Sequence, residues 1–581
     1  MNRMNRLNPM RPNRAVRNGL SCALAAVLLF ACSVPPTTQE HLVDIHLVAL
    51  NDLHGHLEAE PVRIKGVSDA KPRERILGGI ATIGGALRAW RSEDPQLLLV
   101  GGGDLIGASP ALSSLWADEP TIDALSQLDM RLSTLGNHEF DQGREEILRQ
   151  QRGGCASIRP DKACKFSPGF SGAKFTYLGA NVIDQESGHS LLPPYRIEQA
   201  HGIKIAFIGA VLKNTPGMVS AKGVTGLRFI DEADAINRWV PEIKAQGVSA
   251  IVVVIHQGGE TPEPFDKQAC SQLSGPIVDI VKRLDPAIRL VITAHTHQGY
   301  TCDVAGRTVT QGASYGHMLT RIQLSIDPHA DGLSGKMKAI QAENVLMDPQ
   351  QYVPDPALLA LVQQLKRRSD ALLSKPIARL AVPRVSRKMN DAGESPLGDL
   401  IADSQLAATR HLGAQFAITN SGSIRSDLET VGGSANYAHL TTVMPFGNTL
   451  VVMSVSGAQL LALLEQQPRM TENPLANGSM LQVSDGLSYR WDASRAPRQR
   501  LLRDSIKVNG IPLDPQRRYR ITVNSFLAQG GDNLKQLRQG TDRIDTEIKD
   551  LDAFGNYLMT SERDGRPAGK ELTEGRIVRI H

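Results

Sequence analysis

Leu132-Ser133-Thr134-Leu135-Gly136-Asn137-His138-Glu139-Phe140-Asp141 is the stretch on which the reading of this chain turns. A short apolar run stops there, and an amide, an imidazole and two carboxylates follow it closely. Buried polar groups without partners are costly, so such a cluster behind a strand is better explained by something bound than by core packing. Alone it would be a solvated turn or a cap. Its weight comes from four other polar clusters, each placed where an apolar run ends. Asn51-Asp52-Leu53-His54-Gly55-His56 follows residues 41–50, Gly101-Gly102-Gly103-Asp104 follows 95–100, His256-Gln257-Gly258-Gly259 follows 248–255, and Ala294-His295-Thr296-His297 follows 288–293.

Between these runs the apolar residues recur at helical spacing over 80–91, 119–128 and 233–246. Strands alternating with helices predict an α/β layered domain, and open α/β sheets gather ligands at the carboxyl ends of their strands. Five loops are therefore expected to meet at one edge. After Ser325 the rhythm stops. Residues 354–374 read as a single connecting helix between two proline-bearing breaks, and from about 377 a second domain begins, with a helix over 397–412 and strands over 415–419, 450–455 and 519–523. A chain of 581 residues is too long for one core, in keeping with two domains.

A hydrophobic fraction of 41% with 21% charged residues is ordinary globular composition. The first 31 residues read as a targeting segment: Arg3, Arg6, Arg11, Arg14 and Arg17 without an acid, then apolar residues 20–31, then Cys32. The segment is similar to a bacterial lipoprotein signal. That implies export, acylation of Cys32 and anchoring at the cell envelope, with ordinary cleavage into the periplasm as the alternative because Phe30 is untypical of such a box. Without those five arginines the formal charge of +4 becomes −1, so no excess positive charge remains for nucleic acid polymer or acidic lipid. Beyond Cys22 and Cys32, the cysteines Cys155, Cys164, Cys270 and Cys302 read as two disulfides of an exported chain. Four cysteines allow three pairings, of which Cys155–Cys164 with Cys270–Cys302 is the sequence-local one.

Asp52, His54, Asp104, Asn137, His256, His295 and His297 form a ligand set for borderline to hard divalent metals such as Zn, Mn, Co or Mg, with no thiolate among them. These seven exceed what one ion needs, and two ions sharing a carboxylate would use them all. A metal pair suits phosphoryl transfer because it clamps both the attacking and the leaving oxygen. His138 remains beside the set as a non-ligand, with Asp141 three residues on to orient it.

The order Asp52-x-His54, Gly103-Asp104, Gly136-Asn137-His138-Glu139, His256, His295-x-His297 resembles the dinuclear metallophosphoesterase superfamily. Asn51-Asp52-x-His54-Gly55 and Gly136-to-Asp141 resemble specifically its exported 5′-nucleotidase branch. The resemblance implies a four-layer α/β/β/α metallophosphoesterase domain over 42–345, a linker helix over 354–376 and a smaller α/β nucleotide-binding domain over 377–581. It further implies one metal on Asp52, His54, Asp104 and His297, a second on Asp104, Asn137, His256 and His295, and His138 with Asp141 as catalytic pair. Ala294 departs from the superfamily's usual glycine, and His297 stands where some relatives have glutamine.

In the second half, Asn420-Ser-Gly-Ser-Ile-Arg425, Pro445-Phe446-Gly447-Asn448 and the run from Asn524 through Phe526 to Asp532 and Asn533 place two phenylalanines in or beside glycine-containing loops. Rings so placed suit a base sandwich. By the same resemblance Phe446 and Phe526 flank a base, Asn420 belongs to the same substrate-binding set, Asn448 and Asp532 bond base or ribose, and Arg425 bonds ribose or phosphate. Glu394-Ser-Pro-Leu-Gly398 resembles a family helix start with a capping role, and Arg387 is the nearest match to a further family arginine.

The implied activity is metal-dependent hydrolysis of nucleoside 5′-monophosphates, extending to di- and triphosphates or nucleotide sugars, by a monomer whose second domain swings about the linker. The alternatives are a 2′,3′-cyclic-nucleotide phosphodiesterase or 3′-nucleotidase, a sulfur-ester hydrolase, and a nucleotide-binding surface lipoprotein or adhesin without turnover.

Overall fold

A computed structural model describes residues 42–69, 71–471, 480–569 and 575–581. The leader expected over 1–31, with Cys22, and the acylation site Cys32 lie outside the described residues. In the first half, six strands run in the order Met337–Leu346, Met318–Ile326, Val43–Leu50, Leu98–Gly101, Met130–Thr134, Thr176–Leu178. The last four pair parallel, and the first two are antiparallel additions at one edge. A second sheet runs Gly299–Val304, Arg307–Gly312, Ile288–Thr293, Ala250–His256, Ile203–Val211, Tyr195–Ala200, parallel at its centre. Ala250–His256 is buried at every position, as an apolar run without alternation requires of a strand covered on both faces.

The inner faces of the two sheets meet in one apolar layer containing Leu47, Val100 and Leu132 from the first and Phe207, Val252, Val254 and Ile292 from the second. Helices Ile80–Glu93 and Glu119–Gln127 cover the outside of the first sheet, and Glu232–Ala245 with Pro276–Arg283 cover the outside of the second. The result is the expected four-layer α/β/β/α arrangement. Seven of these twelve strands add to the sequence reading, two of them consequential for the architecture. Ile203–Val211 lies centrally in the second sheet, and Met337–Leu346 extends the first beyond the point where the strand–helix rhythm stops.

Asp355 caps the connecting helix Pro356–Leu373, accepting from the amides of Ala357 at 2.9 Å and Leu358 at 3.1 Å. Leu358, Val362 and Leu365 sink into the first domain's core, so most of this helix belongs with that domain. The second half holds a five-stranded sheet in the order Leu481–Val483, Phe416–Asn420, Arg518–Asn524, Thr449–Ser456, Thr541–Lys549. A separate four-stranded sheet runs Ile511–Pro512, Lys507–Val508, Leu487–Asp492, Ile577–Ile580. Both sequence-local disulfides form, Cys155–Cys164 and Cys270–Cys302.

Candidate metal centre and the loops that face it

The five polar clusters do converge, but from two sheets rather than one. Asp52 and His54 follow Val43–Leu50, Asp104 follows Leu98–Gly101, and Asn137 follows Met130–Thr134, all at the carboxyl edge of the first sheet. His256 is the last residue of Ala250–His256, and His295 and His297 follow Ile288–Thr293 in the second. The site therefore lies where the two stacked sheets end together.

Holding so many polar side chains toward one point strains the backbone. Asp52 (φ 49°), His54 (48°), Asp104 (48°), His295 (75°) and His297 (56°) all sit in the left-handed region, where residues other than glycine are uncommon. Gly136 is required beside them, since a Cβ there would lie 2.1 Å from Asp104 Oδ1. Ala294, by contrast, keeps a negative φ and is fully buried, so its departure from glycine is accommodated.

Two of the imidazoles, His54 and His256, are oriented through their second nitrogen. His54 Nδ1 lies 2.8 Å from the Gly107 carbonyl and His256 Nδ1 2.9 Å from the Gly102 carbonyl. A proton shared with a carbonyl must reside on Nδ1, which leaves Nε2 as a lone pair aimed at the centre. His256 Nε2 lies 3.0 Å from Asp104 Oδ2 and 3.1 Å from Asn137 Oδ1. His54 Nε2 lies 3.2 Å from His297 Nε2 and 3.6 Å from Asp104 Oδ2. Asp52 Oδ1 is 3.5 Å from His297 Nε2, and both its oxygens accept from the His295 amide at 3.0 Å.

Lone pairs facing lone pairs at these distances call for a cation, the more so because Asp52, His54, Asp104, Asn137 and His256 are almost wholly shielded from water while His295 and His297 are half-buried. Three groupings place donor atoms within 4.8 Å of one another: Asp52, His54 and His297; His54, Asp104 and His138; Asp104, His256 and His295. Their oxygen and nitrogen chemistry fits divalent metal ions.

The protonation pattern supports the same reading. Burial acts to lower the pKa of His256, but Asp104 and Asp52 outweigh it and raise it to about 9, so in the protein's own field a proton takes the place a metal would. Burial pushes His54 well below its usual value, and burial together with His256 takes His295 down to about 3. These are neutral imidazoles, ready to ligate.

His138 is set differently. Its Nδ1 lies 2.9 Å from Asp141 Oδ2, and its amide donates to Asp104 Oδ1 at 2.8 Å. Burial opposes the imidazolium, yet Asp141 and Asp104 raise its pKa overall.

Three residues escaped the sequence reading as positioning groups. The buried Glu139 carboxylate accepts from the amides of Asp104 and Leu105 at 2.9 Å, Ile106 at 3.4 Å and Gly136 at 2.6 Å, stitching two site loops together. Asn51 donates to Asp52 Oδ2 at 2.8 Å and to the Ala313 carbonyl at 2.6 Å, and accepts from the Gly312 amide at 3.0 Å, tying the two sheets at the site's edge. Tyr315 stacks on His56 with centroids 3.9 Å apart and packs edge-on to His54 and His297. Glu139 and Asn51 lie inside the quoted motifs, whereas nothing in the sequence flagged Tyr315.

The second half meets this centre through Phe446, whose ring stacks on His138 at 5.6 Å, with the Arg425 guanidinium 5.9 Å over the same ring. Arg387 donates to the Arg425 carbonyl. Asn420 Nδ2 donates to Asp532 Oδ2 at 2.9 Å, and Asn420 Oδ1 accepts from Asn524 at 3.0 Å. Asn448 Oδ1 accepts from the Ser525 hydroxyl at 3.2 Å. The Phe526 ring lies over Gly531, where a Cβ would come within 2.4 Å of it. The six sequence-predicted substrate residues thus lie on neighbouring loops at the ends of Phe416–Asn420, Thr449–Ser456 and Arg518–Asn524. The capping role expected of Glu394–Gly398 falls to Ser395, which accepts from the Gly398 amide, while Glu394 holds the amides of Gly575 and Arg576.

Comparison with known proteins gives two domain matches, a calcineurin-like phosphoesterase over 45–299 and a 5′-nucleotidase C-terminal domain over 376–539. The structure carries the first domain's sheets further, to Leu346. The endonuclease YhcR of Bacillus subtilis is 30% identical over 500 residues, 84% of this chain and 37% of that protein. The cell wall protein Lmo0130 of Listeria monocytogenes is 28% identical over 98% of this chain and 74% of its own length. Among solved structures, a 5′-nucleotidase precursor from Thermus thermophilus superposes with a TM-score of 0.73 at 26% identity, covering 93% of this chain and all of that one. The chain belongs to the family of two-domain enzymes in which a calcineurin-like metallophosphoesterase domain is joined to a 5′-nucleotidase C-terminal domain.

Proposed function

We propose that this enzyme hydrolyses nucleoside 5′-monophosphates to nucleoside and phosphate, using two divalent metal ions. The observation that carries the reading is the convergence of seven oxygen and nitrogen donors against a loop whose phenylalanine stacks on His138. Asp52, His54, Asp104 and His297 would hold one ion, and Asp104, Asn137, His256 and His295 the other. Bound there, the ions would supply an acidified water and charge stabilisation for the phosphoryl oxygens.

The chain's own groups do the rest. His138, whose imidazolium Asp141 and Asp104 favour against the opposing effect of burial, donates toward the transferring phosphoryl or its leaving oxygen. Asp141 fixes the ring so that Nε2 carries that proton outward. Glu139 and Asn51 hold the loops in register, so donors do not reorganise during reaction. Phe446 and Phe526 take the base between them, Arg425 meets phosphate or ribose, and Asn420, Asn448 and Asp532 bond base or ribose.

We further take the domains as 42–345 and 377–581. Because the helix between them is embedded in the first domain, motion of the second would centre on its carboxyl end near Ser374. The leader and Cys32 would place the mature monomer at the cell envelope.

Phosphate release from AMP, 3′-AMP, 2′,3′-cyclic AMP and ADP, measured with Mn, Co, Zn and Mg, tests the reading. AMP should be the preferred substrate, and Asn137→Ala should abolish the metal-dependent rate. Equal rates for variant and wild type would refute the proposal, and preference for the cyclic ester would reassign the substrate.

A further inference from the structure

On the four-stranded sheet of the second half, far in the sequence from the metal-centre loops, Leu487–Asp492 alternates strictly. Leu487, Tyr489 and Trp491 are buried while Ser488, Arg490 and Asp492 turn outward. Antiparallel register sets Lys507 opposite Ser488. Arg503 comes from the following turn, whose Ser505 hydroxyl accepts from the Arg490 amide at 2.8 Å. Arg495 and Arg498 come from the loop between. These five cations line a concave groove of about 960 Å³ in which Asp504 is the one acidic residue among the described lining residues.

Arg495 shares Asp492 at 3.4 Å and Arg503 shares Glu465 at 2.7 Å. Arg490, Arg498 and Lys507 meet no carboxylate among the described residues. Like charges crowded into a concavity repel and focus a positive potential, which an anion relieves. Composition does not produce this cluster, since the chain beyond its leader is almost neutral. The strand register does.

We propose that this groove binds a linear phosphate-bearing polyanion through its charges alone. The aromatic ring in the lining, Tyr489, is 1% exposed, so no platform is offered to nucleobases, in contrast to the Phe446 and Phe526 loops. The surface is a groove, which a chain of phosphates can enter and a flat bilayer cannot. Binding would hold the protein on an anionic polymer while the metal centre stays free. The inference does not rest on the proposed catalytic reading.

Fluorescence anisotropy of fluorescein-labelled polyphosphate with the full chain tests it across a salt series. The wild type should bind, and log affinity should fall with log salt by about 0.7 per phosphate contact. Arg490→Glu combined with Lys507→Glu should weaken binding at least tenfold and flatten that slope, with an unchanged melting temperature. The milder Arg490→Gln/Lys507→Gln pair should give a smaller loss in the same direction. No binding by the wild type at low salt, or equal binding by the charge-reversed pair, would overturn the proposal. Tighter binding of oligothymidylate of matched charge would overturn it in favour of a base-reading site, and binding of phosphatidylglycerol vesicles in place of polyphosphate would overturn it in favour of a membrane surface.

Discussion

Individual side chains at the centre divide by what their second atom touches. Where an imidazole gives its Nδ1 proton to a backbone carbonyl, as His54 and His256 do, its other nitrogen is left as a lone pair that a metal ion could take. Where a carboxylate takes that proton, as Asp141 does from His138, the ring can carry a second one. His138→Ala should therefore lower kcat for AMP by about 10²- to 10⁴-fold while metal content, read by elemental analysis, stays the same. Phe446→Ala should raise the KM for nucleotides about tenfold or more, in line with roughly 1–3 kcal/mol per stacked base, and leave turnover of p-nitrophenyl phosphate nearly unchanged. Glu139→Ala strands several buried amides, each worth about 1–3 kcal/mol when unsatisfied, so chemical denaturation should show a loss of about 3–5 kcal/mol. The convergence of these donor side chains was legible because few other arrangements place imidazole, amide and carboxylate directly behind apolar runs. Glu139 sits in the same motif, but that it faces amides of a different loop is a tertiary fact with no local signal.

Among the elements, strand identity was readable where a run was wholly apolar, and partnership was not. Ala250–His256 and Ile288–Thr293 are evident from composition, yet nothing local says that they form a sheet apart from Val43–Leu50. Ile203–Val211 is followed by Leu212-Lys213-Asn214, with no carboxylate or imidazole at its end to mark it as a site strand. Met337–Leu346 alternates weakly, because one edge of its sheet faces solvent. The helix Asp550–Arg563 carries a titratable device at its start. Asp550 is buried, which raises its carboxyl to about 7, and its amide donates to the Asn448 carbonyl at 2.8 Å. A folded-state pKa above the unfolded one means that the folded chain holds a proton the unfolded chain has released. The associated stability is present at pH below about 4 and is lost as pH rises through about 7. Melting temperatures between pH 4.5 and 7.5 should decline less steeply in Asp550→Asn than in the wild type. The Cys270–Cys302 bridge closes a separation of 32 residues, and replacing both cysteines with serine should cost about 3 kcal/mol or somewhat more by denaturant titration.

For the molecule as a whole, two sheets that end together produce a centre that neither could build alone, and a second domain brings Phe446 onto His138. The two-domain division was legible from the loss of strand–helix rhythm and the proline-bounded helix. The small sheet carrying the basic groove was not, since its strands are short and its pairing is set by distant register. The claim on which the rest depends is that the seven donors hold a pair of ions. Anomalous diffraction from crystals grown with manganese measures it directly. Two peaks about 3.5–4 Å apart, one on each side of Asp104, are the expected result. A single peak, or manganese bound away from Asp104, would contradict the account.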